Sequence, residues 1–363
     1  MLTGPALAQD LAEAACWQVD LSHVRALIDT VAAGGEWADW VAALLHGARI
    51  VDANTRSLEL VGAPAAREII LGQPVANFCP QESWNALAGL IVAVARDPAH
   101  AARTQAVNSF MKIVVIGGTG LIGSKTVALL ARDGHEVFAA APNTGVNTLT
   151  GEGLDRALEG AEVVIDVSNS PTLDGPAALD FFEKAGRNIA AAEKKAGVHH
   201  HIALSVVGTD RLQASGYFRA KLAQEQGIAA SGIPFTLIHA TQFFEFLRGI
   251  ANSAAEGDTV RLSPARFQPM AAQDVAVAVA RAARAEPVNG MIEVAGPQAW
   301  RIDELVARVL AFDKDPRRVV ADPAAPYFGV TIDDASLMPG PDARLGTTGF
   351  DWWLANVPAP VAK

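Results

Sequence analysis

The chain has two tyrosines, and one of them, Tyr217, stands four positions before a lysine, Lys221. On a helix, positions i and i+4 share a face, so this phenol and ammonium can point into one cleft. A free phenol titrates at about 10, and a neighbouring ammonium favours the phenolate, bringing the group closer to working pH as a general acid or base. That pairing suits hydride chemistry. Ser205 lies near the carboxyl end of the strand-like run 201–208 just upstream, where its hydroxyl would hold a substrate carbonyl or its developing oxyanion. The plainer alternative is a surface helix pair with an unrelated strand serine.

A glycine-rich turn lies about a hundred residues earlier. Lys112 to Ile116 is a short β-branched run, the pattern of a strand buried on both faces of a parallel sheet, and Gly117-Gly118-Thr119-Gly120-Leu121-Ile122-Gly123 follows at once. Glycines at 117, 120 and 123 permit a tight turn without Cβ atoms, so that backbone N–H groups and a positive helix terminus can approach a pyrophosphate. Gly117, Thr119, Gly120, Leu121, Ile122 and Gly123 are therefore the expected nucleotide contacts. Helical composition over 125–132, a stop at Gly134 and a second strand at 136–141 support the assignment.

NAD-preferring proteins of this design place a carboxylate at the end of that second strand to accept from the ribose 2′-OH. Here the strand ends Ala139-Ala140-Ala141-Pro142-Asn143-Thr144, and the next acidic residue is Glu152. Without the carboxylate, repulsion against a 2′-phosphate is gone, which favours NADP and leaves NAD as the second option. No Arg or Lys is close in sequence, so Asn143, Thr144, backbone amides or a distant cation must hold the phosphate.

The elements that position these groups alternate between strand and helix. A strand at 162–167 carries Ser168 and Asn169 at its carboxyl end, the edge where open α/β sheets bind ligands, so both are expected cofactor or substrate neighbours. A helix is expected over 176–195, a strand at 201–206 and another at 234–239, giving right-handed crossovers and a doubly wound parallel sheet. The segment Ala240-Thr241-Gln242-Phe243-Phe244 leaves the ligand-bearing edge, which makes Gln242 and Phe243 candidate substrate contacts. Further on, a strand at 259–262, a helix at 273–283, a strand at 291–294 and a helix at 303–310 read as a small lobe over the site. Asp274 reads as an N-terminal helix charge, and Trp352 and Trp353 as anchors of the C-terminal tail.

Taken together, the glycine pattern at 117–123, Ser205 and Tyr217 with Lys221 resemble the short-chain dehydrogenase/reductase superfamily, and the opening Gly-Gly-Thr-Gly-Leu-Ile-Gly with Ala-Thr-Gln-Phe-Phe at 240–244 is similar to its atypical, extended NmrA-like branch. The resemblance implies NAD(P)H binding, with Tyr217 as acid/base, Lys221 as ribose ligand and pKa modifier, and Ser205 as substrate positioner. It also implies a helix asparagine, for which Asn188 is the nearest candidate, and a homodimer built through the helices flanking the sheet. Proteins of this branch that bind dinucleotide without turnover and sense redox state keep a regulatory role open as the alternative.

Residues 1–110 differ in texture: they contain no lysine and four of the seven tryptophans. Ile50-Val-Asp-Ala-Asn54, Leu58-Glu-Leu-Val-Gly62, Glu68, Gly72-Gln-Pro-Val75, Phe78 and Pro80 resemble the front half of a PAS domain, the sensor module of bacterial signalling proteins. Met111 arrives before that module's long strands have room to form. The expected organisation is thus an incomplete α+β PAS-like module and linker (1–110), then an α/β Rossmann domain (111–363) in which 241–363 contributes a substrate lobe.

Composition narrows the function. A formal net charge of −10 lacks the basic footprint that nucleic acid or anionic membrane demands, so neither is an expected partner. No apolar window is long enough for a membrane span, and the first twenty residues lack the basic start of a signal peptide. Cys16 and Cys79 have no metal-ligand spacing and cannot form a disulfide framework, which fits a reducing compartment, the cytoplasm. His199, His200 and His201 are consecutive, but neighbours on a strand face opposite ways, and no metal site is expected. The expected activity is NAD(P)H-dependent reduction of a small, largely apolar carbonyl, enone or quinone.

Overall fold

The computed structural model describes residues 110–357 together with two earlier segments, β1 (Trp17–Asp20) and β2 (Arg49–Ala53), which pair antiparallel. Contacts divide the chain into two units, residues 1–108 and 109–363. Apart from β2, the residues that carry the PAS-like resemblance lie outside the described ones.

In the second unit β3 (Lys112–Ile116) shows the period of two that a strand imposes: Ile113 and Val115 enter one core, Val114 and Ile116 another. The glycine turn hands it to α1 (Leu121–Arg132), and β4 (Glu136–Ala140) returns. A 3₁₀ turn at Pro142–Thr144 and the short α2 (Leu154–Leu158) lead into β5 (Val163–Asp166). The long α3 (Gly175–Ala196) has clear signals at both ends. Asp174 accepts from the Ala177 N–H at 3.2 Å, Pro176 sits in the first turn, and Gly197 takes the left-handed conformation at the end. Then come β6 (His200–Val206), α4 (Gly216–Ala230) and β7 (Phe235–Ala240).

Past a 3₁₀ turn at Phe244–Phe246 the chain forms α5 (Leu247–Ser253), β8 (Ala255–Glu256), β9 (Thr259–Leu262), β10 (Arg266–Phe267) and α6 (Ala272–Ala283). These are followed by β11 (Gly290–Ala295), β12 (Trp300–Arg301), α7 (Ile302–Phe312), β13 (Arg318–Ala321), β14 (Arg344–Leu345) and α8 (Phe350–Asn356). The main sheet has seven strands in the order β14-β11-β7-β6-β5-β3-β4, every neighbouring pair parallel. Direction reverses at β3, with β4 on one side and β5 on the other, so a crevice opens at the carboxyl ends of β3 and β5.

Helices cover both faces of this sheet, as parallel strands require. Ile122 and Leu130 of α1 pack with Val275, Ala276 and Val279 of α6 on one face; Leu154 and Leu158 of α2 pack with Ala185 and Ile189 of α3 on the other. A third core holds the outer lobe together through Phe244, Leu247, Phe267, Leu305, Phe350 and Trp353. Residues after 241 do not all stay in that lobe: α6 packs on the main sheet and β11 pairs with β7. The Ala-rich face of α6 lets it lie close to the strands, and β11 is paired with β7 over Gly290 to Val294. No helix among the described residues is long and apolar enough to cross a membrane.

Two readings of single residues change. Trp353 is the tail anchor, buried in the lobe core with its indole N–H donated to Glu245 at 3.1 Å, whereas Trp352 is exposed. On this short helix Phe350, Trp353 and Leu354 face the core at spacings of three and four, which turns Trp352 outward. Asp274 does more than place a charge at a helix start: its carboxylate accepts from the Thr348 N–H at 2.8 Å and the Thr348 hydroxyl at 2.9 Å, pinning the tail.

Candidate functional site

The glycine turn is built by exclusion. Gly117 has φ +77°, and a Cβ there would sit 2.9 Å from the Ser168 backbone nitrogen; a Cβ on Gly123 would meet the Gly117 carbonyl oxygen at 2.1 Å. Only glycine lets the turn lie this close to the end of β5 and to itself. Its N–H at Gly117 is given to the Ala140 carbonyl at 2.9 Å, and that of Gly120 to the Gly117 carbonyl at 2.9 Å. The N–H groups of Thr119, Leu121, Ile122 and Gly123 have no acceptor among the described residues, which leaves the first turn of α1 open toward the crevice. Backbone donors of this kind fit a pyrophosphate.

At the neighbouring strand end, Ser168 donates from both backbone and hydroxyl to Asp166 Oδ1, at 2.9 and 2.6 Å. The next residue, Asn169, accepts from the Tyr217 hydroxyl through Oδ1 at 2.9 Å. Tyr217 is thereby held one residue from the segment that touches Gly117. What brings it there is a second glycine contact: a Cβ on Gly175 would lie 2.7 Å from the Gly216 Cα, so the starts of α3 and α4 meet backbone to backbone. The Tyr217 ring then packs edge-on to Phe182, with centroids 6.4 Å apart. Burial pushes its phenol up to about 12, away from working pH rather than toward it as the Lys221 spacing had suggested, so the group is a firmly held proton.

Lys221, one turn on, is almost wholly buried, with its Nζ 4.7 Å from the centre of the Phe182 ring. Its ammonium donates to the Leu204 carbonyl at 2.9 Å and to Gln224 Oε1, and Gln224 Nε2 donates to Asp166 Oδ2 at 3.1 Å. Burial brings its pKa down to about 8, against the opposing pull of the Asp166 and Glu225 carboxylates. Ser205 is buried too. Its hydroxyl donates to Glu225 Oε1, and His239 Nε2 stands 3.1 Å from the same oxygen. The Glu225 carboxyl is held below its usual range because His239, Ser205 and Lys221 together outweigh burial, which acts the other way and is the largest single influence.

The remaining sequence candidates fall around this centre. Thr119 donates to Asn143 Oδ1 at 3.3 Å, joining the glycine turn to the 3₁₀ turn after β4, while the Thr144 hydroxyl is spent within its own turn on the Ala139 carbonyl at 2.7 Å. Phe243 stacks on Phe246 with centroids 5.3 Å apart. Gln242 is buried, and neither end of its amide has a partner among the described residues. Asn188 is turned to other work, donating to the Thr148 and Leu149 carbonyls at 2.8 and 3.0 Å.

Comparison with known proteins places this geometry. Residues 110–284 match the NmrA-like family. Over 213 residues the chain is 29% identical to the (4-alkanoyl-5-oxo-2,5-dihydrofuran-3-yl)methyl phosphate reductase of Streptomyces griseus, covering 54% of this chain and 72% of that one. It is 24% identical over 216 residues to the photosystem II assembly factor Ycf39 of Synechocystis, covering 54% of this chain and 66%, just under two thirds, of the factor. Among solved structures, MoeE5 in complex with UDP-glucose and NAD superposes with a TM-score of 0.56 at 18% identity, over 67% of this chain and 96% of that one, a likeness of fold.

Two residues of this segment were not among the candidates named from the sequence. Arg156 is one: the Gly145 and Gly153 backbones touch, with a Cβ on Gly153 falling 2.1 Å from the Gly145 carbonyl oxygen, and this fold-back brings the Arg156 guanidinium 3.7 Å from where a Gly145 Cβ would stand. Two left-handed glycines eight residues apart are the signal that could have found it. Glu225 is the other. It continues the Tyr217–Lys221 stripe by one more turn, a repeat of four that was there to be read.

Proposed function

We propose that the NmrA-like unit is an NADPH-dependent oxidoreductase, with NAD as the second cofactor, that reduces a small, largely apolar carbonyl, enone or quinone-type substrate. The observation that carries this is the protonated Tyr217 phenol, bonded to Asn169 beside the glycine turn. The turn suits a dinucleotide because its glycines leave a cradle that a Cβ would fill and its first helical N–H groups are open. Arg156, beside Gly145 and without a carboxylate at the end of β4, suits a 2′-phosphate. NADPH, when bound, supplies the hydride. The Streptomyces relative is named a reductase, and MoeE5 was solved with NAD, which supports the reading.

Within it, Tyr217 gives its proton to the substrate oxygen, which takes the place of Asn169 as acceptor. Lys221 spends two of its three N–H donors on Leu204 and Gln224, leaving one for a ribose hydroxyl. Its ammonium also stabilises charge that develops on the phenol oxygen. Ser205 reaches a substrate oxygen only by exchanging its Glu225 partner. Gln242 and Phe243 belong to the substrate side.

The test is purified protein with NADPH and a panel of ketones, aldehydes and quinones. Turnover is expected, and Tyr217→Phe is expected to end it while nucleotide binding persists; unchanged turnover in that variant overturns the assignment. A second reading, a dinucleotide-binding regulatory protein without turnover, is favoured by one observation: Tyr217 and Lys221 are each already bonded to protein groups. Tight NADPH binding with no turnover across the panel would select it.

A further inference from the structure

Behind Lys221, on the side of the sheet that carries α3 and α4, lies a cavity of about 20 Å³ lined by Asp166, Glu193, His201 and Gln224 among others. Its chemistry is unusual for a gap between two helices. His201 is buried, and its Nδ1 is 2.5 Å from Glu193 Oε1, but its Nε2 has no partner among the described residues. A buried ring nitrogen without a partner carries its full desolvation penalty, which calls for a hydrogen-bonding group beside it. The volume exceeds the roughly 10–15 Å³ that one water requires, and the walls provide the two to four polar partners that hold such a water.

The hydrogen-bond inventory leaves places for it. Asp166 Oδ1 already accepts from Ser168, and Oδ2 from Gln224, which leaves one lone pair on Oδ2. Gln224 spends one of its two N–H donors on Asp166 and its oxygen on Lys221, leaving one donor. We propose that this cavity is a built site for a single water, and that the water links His201 to Asp166, so that the His201 ring and the Lys221 chain of contacts meet on one carboxylate. The chain of contacts runs from Glu193 on α3, through His201, the water, Asp166 and Gln224, to Lys221. His201 is then a positioning residue for the amine, which explains why the last histidine of a run of three is buried with a carboxylate. The water site stands on the cavity itself; the importance given to Lys221 rests on the oxidoreductase reading.

The charges facing each group set the expected signs. Glu193 from α3 and Asp166 from β5 face His201 and hold its pKa up against burial, with His200 beside it on the strand. Burial holds the Lys221 pKa down at about 8, and Asp166 and Glu225, which face it, pull the other way. Removing the His201 ring therefore frees Asp166 to favour the Lys221 ammonium, and removing the Asp166 charge takes that support from both groups.

The experiment is a high-resolution crystal structure of the full chain, with NMR titration of ¹³C-lysine and ¹⁵N-histidine labelled protein. One ordered water within hydrogen-bonding distance of His201 Nε2 and Asp166 is expected. His201→Gln should move the Lys221 midpoint upward, because the Asp166 lone pair that the water engaged is then left to favour the ammonium. Asp166→Asn should move the Lys221 and His201 midpoints downward. A dry cavity, a water that misses either partner, or a Lys221 midpoint unmoved in both variants overturns the proposal. If the water and the shifts are found but NADPH turnover is absent in the wild type, the oxidoreductase reading fails and this one stands.

Discussion

The glycine turn and the Tyr217 stripe of α4 face the same crevice but keep their geometry by different means. The turn is held by what it lacks: side chains at 117 and 123 would collide with backbone at 2.9 and 2.1 Å, so its shape is written into covalent geometry. The stripe is held by what it bonds: Tyr217 to Asn169, Lys221 to Leu204 and Gln224, Glu225 to Ser205. A turn of the first kind is preorganised at no cost in desolvation. A stripe of the second kind buries charge, and burial shifts its pKa values to about 12 and about 8.

Substitutions can break this contrast. The largest effect is expected from Tyr217→Phe, which removes the proton and little else: turnover of NADPH should fall by about 10²- to 10⁴-fold, read by steady-state kinetics, with nucleotide affinity unchanged by titration calorimetry. Next is Gly123→Ala, where one methyl forces the turn apart. Overpacking of this sort costs about 1–3 kcal/mol, so nucleotide affinity should drop by roughly 10- to 100-fold and the melting temperature should fall with it. If Gly123→Ala binds normally, the turn is not the cradle.

Arg156→Ala sharpens the contrast, because it touches neither region. Loss of one charge-assisted contact should lower NADPH affinity by about tenfold while NADH affinity stays put, as measured by competitive binding. Equal losses for both nucleotides would remove Arg156 from the 2′ side. The mildest test is a slope. Burial brings the Lys221 pKa to about 8 in the native state, against its ordinary 10.5 in the unfolded chain, so the unfolded state binds more protons in between. Stability to urea should therefore rise from about pH 8 toward 10.5, and Lys221→Met should flatten that rise.

Much of the frame was legible before any coordinates. The strand expected at 136–141 runs from Glu136 to Ala140, and the helix expected at 176–195 runs from Gly175 to Ala196, because period, Pro and Gly are local signals. Partners of side chains were another matter. Asn188 stood in the expected helix but bonds the Thr148 and Leu149 carbonyls, while Asn169, expected only as a ligand neighbour, holds the Tyr217 hydroxyl. Likewise the 291–294 strand was visible, yet its parallel place beside β7 was not, since nothing in its own residues names a neighbour.

The amino-acid sequence alone determined the glycine turn, the alternating elements and the one-face spacing of Tyr217 and Lys221, since each depends on residues within a few positions of one another. Only the tertiary structure decided that Arg156 folds back toward Gly145, that the Ser205 hydroxyl donates a hydrogen bond to Glu225, and that His201, with one ring nitrogen unpartnered among the described residues, lines a polar cavity. Those facts join residues from separate elements, and the burial that shifts a pKa or orphans an atom exists only once the helices have closed over the sheet.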